Sequence, residues 1–420
     1  MKSSKSFIHL GVVVVINLAI QFIFQWYIIT SLGASHRTDA LFGAMALPQF
    51  ILIVLSGSLT MVLVPIITKY TGNRFLEEAW NYFQAVGILF FCIALFLFIT
   101  AHWWVRWILP GFTGANYQLT LDLVRIQVTA MVFSALLSVL WAVHSAKDQF
   151  FRIEVTSISA NIIALAILVA FIDTLGIYIA AWVNLLKLIL QVIFLLKIMG
   201  PYKKLDLHSI SFKIAGKKLK PLILGNAYYQ TDPLVDRYLT SRGIPGELTL
   251  LSFAQQLYQA TNSIIVKVLV NTMIPEMAKA YAAGDIKRFD RILKKRLLIS
   301  FVYISISFMA MLLAGEWFLG LLFSLKKMTA ADVHQLWCLL ILLAGYLLGD
   351  LIGNVGSAAF YAKGDTATPT KIGMVLFTLY IPVKIYCYFK FGITGLAIAV
   401  STYQVISFSA KLFFLRKHLF

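Results

Sequence analysis

Charge is what this sequence has least of. Only 13% of its 420 residues are Asp, Glu, Lys or Arg, 60% are hydrophobic, and the mean hydropathy is +0.84. Soluble domains carry about 25% charged residues, so a soluble globular fold is excluded. Acids are scarcer than bases, 18 against 36, for a formal net charge of +18. Cysteine is nearly missing: Cys92, Cys338 and Cys387 are isolated and give neither a disulfide framework nor metal-ligand spacing. No nucleophile or acid–base motif of the soluble enzyme classes is present. The chain is expected to be no enzyme and to hold no metal or cofactor.

What the sequence has in abundance is apolar runs long enough to cross roughly 30 Å of hydrocarbon. Twelve spans are expected, at 7–29, 41–68, 80–100, 120–144, 154–172, 175–198, 221–240, 248–273, 296–323, 333–361, 371–389 and 393–413. The first is too long for a signal-peptide core and lacks a small-residue cleavage site, so it is expected to remain as a span. Alternate assignment of the connections puts 25 of the 36 Lys and Arg on the side of both termini and 6 opposite, with the others inside spans. Both termini are therefore expected in the cytoplasm. This bias accounts for the net charge without a nucleic-acid partner.

The polar connection at 197–220 divides the chain, giving an expected six-helix lobe at 1–200, a basic cytoplasmic linker at 201–220 and a second six-helix lobe at 221–420. The halves are related. At an offset of 210 residues Ser31/Ser241, Gly33/Gly243, Gln49/Gln259, Pro65/Pro275 and Lys69/Lys279 coincide, and at 216 Lys147/Lys363, Gly176/Gly392 and Ile177/Ile393 do. An even number of spans per half makes the repeats parallel bundles, the architecture of a transporter, with a cavity expected between them. The fold class is an all-α polytopic membrane protein.

Polar residues at helical spacing inside spans mark candidate site residues, because a charge in hydrocarbon must be solvated or paired. The eighth span carries Gln256, Gln259, Lys267 and Asn271, the tenth Asp350 and Asn354, the sixth Asn184, Lys187 and Gln191, and the first Asn17, Gln21 and Gln25. With Arg125 on the fourth span, the basic groups suit an anionic ligand such as a pyrophosphate. Lys384 is either another such group or a lysine that snorkels outward. In the stretch "TDPLVDRY", Asp232 and Asp236 share a helix face, Arg237 is available to pair with them, and Pro233 is expected to kink the helix. Asp39, Asp232, Asp236 and Arg237 are the candidate gating or ion-coupling residues. A proton or sodium ion is the candidate coupling ion, with Asp232 as the candidate sodium site.

The segments "GASHRTDALFGAMALPQFILIVLSGSLTMVLVPIITKY", "DPLVDRYLTSRG", "FAQQLYQ" and "IPEMAKAYAAGD" resemble the bacterial lipid II flippase (MurJ/MviN) family. The resemblance implies the multidrug/oligosaccharidyl-lipid/polysaccharide (MOP) exporter fold, two six-helix lobes of the MATE type. It implies a flippase that carries a polyprenyl-pyrophosphate-linked glycan to the outer leaflet of the bacterial inner membrane by alternating access. Asp39 and Asp236 match family aspartates. The family's cavity arginines on helices one, two and eight are matched here by Leu18, Phe24, Leu52 and Gln256. That departure points to a polyprenyl-linked glycan other than lipid II. Expected partners are that glycan, membrane lipids, and the glycosyltransferases and polymerase of a polysaccharide pathway. Two alternatives are an efflux transporter of a soluble amphiphile and a membrane scaffold that does not transport.

Overall fold

The computed structural model describes residues 4–206, 210–323, 327–365 and 367–417; the side chains of Asn226, Ser263, Lys267 and Asn271 lie outside the described set. Helix runs through every expected span, and no strand occurs among the described residues. Among the described residues nine stretches are long and apolar enough to cross a membrane. Their surface is the reason: Phe91, Phe96, Leu313, Trp317 and Leu379 are all at least 60% exposed, which only lipid accommodates. The helices over expected spans seven and eight are not among the nine.

The first compact unit is Met1–Gly246. It comprises α1 (Ser4–Leu32), α2 (His36–Ala44), α3 (Ala46–Ile67), α4 (Gly72–Ile99), α5 (Ala101–Ile108), α6 (Gly114–Ala146), α7 (Phe150–Leu175), α8 (Ile177–Leu196), α9 (Ile210–Tyr229) and α10 (Asp232–Thr240). The second unit, Glu247–Phe420, holds α11 (Glu247–Ile265), α12 (Asn271–Ala282), α13 (Ile286–Phe323), α14 (Ala330–Leu342), α15 (Ala344–Ala362) and α16 (Ala367–Lys417). The sequence places the change of lobe at 201–220. In the structure α9 runs unbroken through residue 220, and α9 packs along α3 while α10 packs on α3 and α5.

Proline accounts for several of the helix interruptions. Its ring clashes with the carbonyl four residues back and offers no N–H to that oxygen. The residue four before Pro48 is Ala44, where α2 stops; four before Pro233 is Tyr229, where α9 stops. Four before Pro275 is Asn271, where α-helix resumes after a π-helical turn at Val266–Val270. The kink expected at Pro233 is thus a full interruption at Gln230–Thr231.

The repeat is written in the backbone as well as the sequence. Lys147 N–H donates to the His144 carbonyl, Asp148 to Ser145 and Gln149 to His144. Lys363, Gly364 and Asp365 make the same three bonds to Phe360, Tyr361 and Phe360. Each set closes a helix with a left-handed residue, Asp148 at φ 56 and Gly364 at φ 79. Further on, Gly176 (φ 60, ψ −136) separates α7 from α8, and Gly392 (φ 62, ψ −148) breaks α16 in two. That region of backbone space is essentially closed to residues with a Cβ. Gly392 therefore marks the boundary between the eleventh and twelfth expected spans.

In the second unit α15 lies against the distal arm of α16 through small residues. A Cβ on Gly349 would stand 2.3 Å from the Gln404 Cβ and 2.7 Å from its backbone. Close backbone approach of this kind is how helices associate where water supplies no hydrophobic drive.

A polar cleft inside the first unit

Between α1, α3, α6, α7 and α8 lies a cleft of about 440 Å³. Its apolar walls include Leu52, Ile53, Leu137 and Trp141. Its polar lining is Gln21, Ser56, Ser134, Ser138, Ser157, Asn161, Lys187 and Gln191. Most of this follows from helical spacing: Ser134, Ser138 and Trp141 share a face of α6, Ser157 and Asn161 a face of α7, and Lys187 and Gln191 a face of α8.

One edge of the cleft is fixed by a hydrogen-bond cluster around Asn17, itself 7% exposed. Asn17 Nδ2 donates to Glu154 Oε2 at 2.7 Å. Its Oδ1 accepts from Gln21 Nε2 at 3.2 Å, Ser157 Oγ at 3.2 Å and Asn161 Nδ2 at 3.1 Å. Both ends of the Asn17 amide are engaged, so α1 and α7 are held in one register. Asn184, one turn before Lys187, donates to Gln127 Oε1 on α6 at 3.0 Å.

Lys187 is the cation of the cleft. Its Nζ lies 4.7 Å from the centre of the Phe24 ring, and no carboxylate opposes it among the described residues. A lysine at mid-span costs about 2.5–3.5 kcal/mol on insertion scales. A cation–π contact returns about 0.5–2 kcal/mol. The fold alone therefore leaves this charge under-compensated. Phe24 and Leu52, two positions where the sequence lacks the family's arginines, both border it.

The other expected site residues are distributed differently. Asp350 accepts from Asn262 Nδ2 at 2.8 Å and Asn354 Nδ2 at 3.1 Å within the second unit, and the charge of Lys411 acts on it. Lys384 is wholly buried, its Nζ 5.3 Å from the Tyr380 ring, so it does not snorkel. Gln259 Nε2 reaches Tyr346 Oη at 3.3 Å on an exposed face, and Gln256 is half-buried. Arg125 does not line this cleft: it makes an exposed pair with Asp122 at 3.3 Å, because one helical turn brings them together near the helix surface.

At the gating stretch, Asp39 Oδ2 accepts the Gly246 N–H at 2.6 Å. Asp236 is buried, and Asp232 stands in the first turn of α10. Arg237, available to pair with the two acids, donates to Gln49 Oε1 at 2.7 Å and to the Ala46 carbonyl at 3.3 Å, and the charge of Asp236 also acts on it. A planar guanidinium fork is satisfied by the two acceptors that the start of α3 presents.

Sequence reading did not single out Ser56, Ser134, Ser138, Trp141, Ser157 or Asn161. The i, i+4 rule that found the sixth span's stripe would have found Ser134 with Ser138 and Ser157 with Asn161; single short polar residues among apolar ones are easily passed over. Lys411, counted with the cytoplasmic charges, lies within α16 beside Asp350.

Apolar helices, an internal repeat and a polar cleft within one repeat define an all-α polytopic membrane protein with the architecture of a transporter. In solved structures the same fold occurs in a lipid II flippase MurJ in an inward closed conformation, with a TM-score of 0.82 and 17% identity over 97% of this chain and 87% of that one. It occurs also in an inward-facing multidrug resistance MATE family transporter of the MOP superfamily, with a TM-score of 0.78 and 15% identity over 96% and 94% of the two chains. A family model described as lipid II flippase MurJ matches residues 28–420. The probable lipid II flippase MurJ of Buchnera aphidicola subsp. Baizongia pistaciae is 23% identical over 96% of this chain and 82% of its own length. The chain belongs to the lipid II flippase MurJ family, a family of lipid-linked glycan flippases that are transporters and not catalytic enzymes.

Proposed function

We propose that this protein flips lipid II, a polyprenyl-pyrophosphate-linked glycan, from the inner to the outer leaflet of the bacterial cytoplasmic membrane by alternating access, driven by a proton or sodium ion. The observation that carries this reading is the family match across nearly the whole chain. The physical task fits the molecule. A charged, sugar-bearing headgroup cannot cross hydrocarbon unaided, since isolated charges and unpaired polar groups are strongly disfavoured there. A polar, cation-bearing recess inside an apolar bundle lowers that barrier. The missing arginines, taken from sequence as a sign of another substrate, are read here as a change in where the positive charge stands. The glycosyltransferases that complete the headgroup and the polymerase that consumes it are the corresponding partners.

The test is flipping by the purified full chain in proteoliposomes. Fluorescent lipid II, a polyprenyl-pyrophosphate oligosaccharide without peptide, and a fluorescent phosphatidylcholine are compared by quenching of the outer leaflet. Protein-dependent flipping of lipid II, with none of phosphatidylcholine, is expected. Flipping of the peptide-free glycan alone would replace lipid II as substrate, and flipping of neither glycolipid would overturn the reading.

A further inference from the structure

We infer that Cys338 and His334, with Glu316 behind the imidazole, form a binding site for a borderline-soft divalent cation such as zinc at the exposed seam between α13 and α14. The site lies wholly within the second unit and does not depend on which lipid is carried.

Spacing among the cysteines alone gives no metal signal; the partner here is a histidine. His334 and Cys338 are four residues apart on α14, so their side chains project from one face. His334 Nε2 and Cys338 Sγ stand 3.6 Å apart. Zinc–sulfur and zinc–nitrogen bonds of about 2.3 Å and about 2.0–2.1 Å, set at the tetrahedral angle, separate the two ligand atoms by about 3.5–3.6 Å. The pair already has the spacing of one edge of a zinc tetrahedron.

The third group comes from α13. Glu316 Oε1 lies 2.6 Å from His334 Nδ1. With the ring hydrogen on Nδ1 directed at that carboxylate, Nε2 turns its lone pair toward the thiol, the orientation that a carboxylate imposes on zinc-ligating histidines. The metal then takes the place of the thiol proton: the S–H bond breaks, S–Zn and N–Zn bonds form, and one proton passes to water. Glu316 stays outside the coordination sphere. No group of three His, Cys, Asp or Glu residues arranged to hold a metal ion occurs among the described residues, so the protein supplies two ligands and water the others.

Access and rigidity both suit an ion. The side chains of His334 and Glu316 are 58% and 49% exposed. His334 is the fifth residue of α14, and Glu316 lies seven residues before the end of α13, about 10 Å along the axis. A hydrated ion therefore reaches the seam from the membrane surface and keeps water on its open side. The seam itself is fixed beforehand. Trp337 Nε1 donates to the Met311 carbonyl at 2.9 Å, and Gly315 admits that ring, since a Cβ there would stand 3.1 Å from Trp337 Cδ1. Reciprocal bonds between Thr329 and Asp332 set the start of α14. The ligand-bearing face is thus held against Glu316 before any ion arrives. An ion pair would need only His334 and Glu316; a thiol on the far nitrogen is what a metal needs.

Zinc and cobalt binding by the detergent-solubilised full chain carrying Cys92→Ser and Cys387→Ser tests this. Zinc is followed by competition with a chromophoric chelator, cobalt by its thiolate charge-transfer band, and folding by thermal melting. One zinc per chain, not displaced by excess magnesium, and a cobalt band are expected. Glu316→Ala should weaken zinc by about tenfold, the low end for loss of the group behind a ligating histidine, and His334→Ala and Cys338→Ser by more. Cys338→His keeps two ligands four residues apart on one helix face and should hold zinc without the band. No zinc binding by the parent, a band that survives Cys338→Ser, or parental zinc affinity in a folded His334→Ala protein overturns the site. If His334→Ala and Cys338→Ser do not fold, parental affinity in Glu316→Ala overturns it too.

Discussion

Removal of Asn17 offers the most quantitative test of how the cleft is held. Asn17→Ala deletes three accepted bonds and one donated to a carboxylate. It also leaves Asn161, 2% exposed, and Ser157, 5% exposed, without the acceptor both use, apart from a 3.4 Å contact between themselves. Side-chain hydrogen bonds between membrane helices average about 0.6 kcal/mol with a maximum near 1.7, so three neutral bonds give about 2 kcal/mol. The bond to Glu154 is charge-assisted and adds about 1.5 kcal/mol, the low end for a bond to a charged group. The expected loss is therefore about 2–4 kcal/mol, and Asn161→Ala should cost less because it removes one strong and one weak bond. In a double-mutant cycle the pair should couple by about 0.5–1.5 kcal/mol. The measurement is reversible unfolding in bicelles or mixed micelles, with flipping of lipid II followed in parallel, since Gln21, Ser157 and Asn161 line the cleft. Additivity within the error of the cycle, with Asn17→Ala as stable as wild type, would refute the claim that this cluster fixes α1 against α7.

Three further outcomes are expected. Cysteines placed singly at Ile244 and Ala283, in a background without the native three, should react with an impermeant thiol reagent in intact spheroplasts only at Ile244; labelling at Ala283 alone would invert the orientation. Gly349→Ala should destabilise the protein by about 1–3 kcal/mol, as overpacking against backbone does, and a Gly349→Ala melt equal to wild type would refute the close packing of α15 on α16. Asp39→Ala should free the Gly246 N–H, raising hydrogen exchange across residues 241–247 while leaving α4 unchanged; unchanged exchange there would remove Asp39 from the gating stretch.

What was legible in the sequence follows the strength of the physical constraint. Helix in every span was readable because hydrocarbon forces backbone bonds to close within a segment. The disturbance at Pro233 was readable because a ring clash acts locally, whereas the break ahead of Pro48 was passed over inside the expected span 41–68. Pairing was less so. Arg237 finds Gln49 and the Ala46 carbonyl across nearly 200 positions of sequence, and nothing local to "DPLVDRY" indicates those acceptors. Arg125 looked like a cavity ligand because a charge near a span draws attention, yet Asp122 one turn away already satisfies it at the surface. The cleft itself was half visible: Lys187 and Gln21 stood out as polar residues in apolar runs, while the serines that complete it did not.

The two repeats share backbone devices and differ in charge, and the difference is open to a direct exchange. In the register that aligns Lys147 with Lys363, Ser134 corresponds to Asp350 and Ser138 to Asn354. One copy thus places hydroxyls around a lysine, and the other places a carboxylate with its amide donors where those hydroxyls would be. A carboxylate in the first cleft would be an internal competitor for Lys187, paired with it at high effective concentration and repelling any entering phosphate. Ser134→Asp, which gives the first repeat the residue of the second, should therefore slow flipping of lipid II in proteoliposomes by setting a counter-charge beside Lys187. Ser134→Asn, of nearly equal size and without charge, should retain most of it. Loss in both variants would mean that the position is sensitive to bulk alone. Wild-type flipping by a folded Ser134→Asp protein would show that the charge of Lys187 is not what the substrate meets.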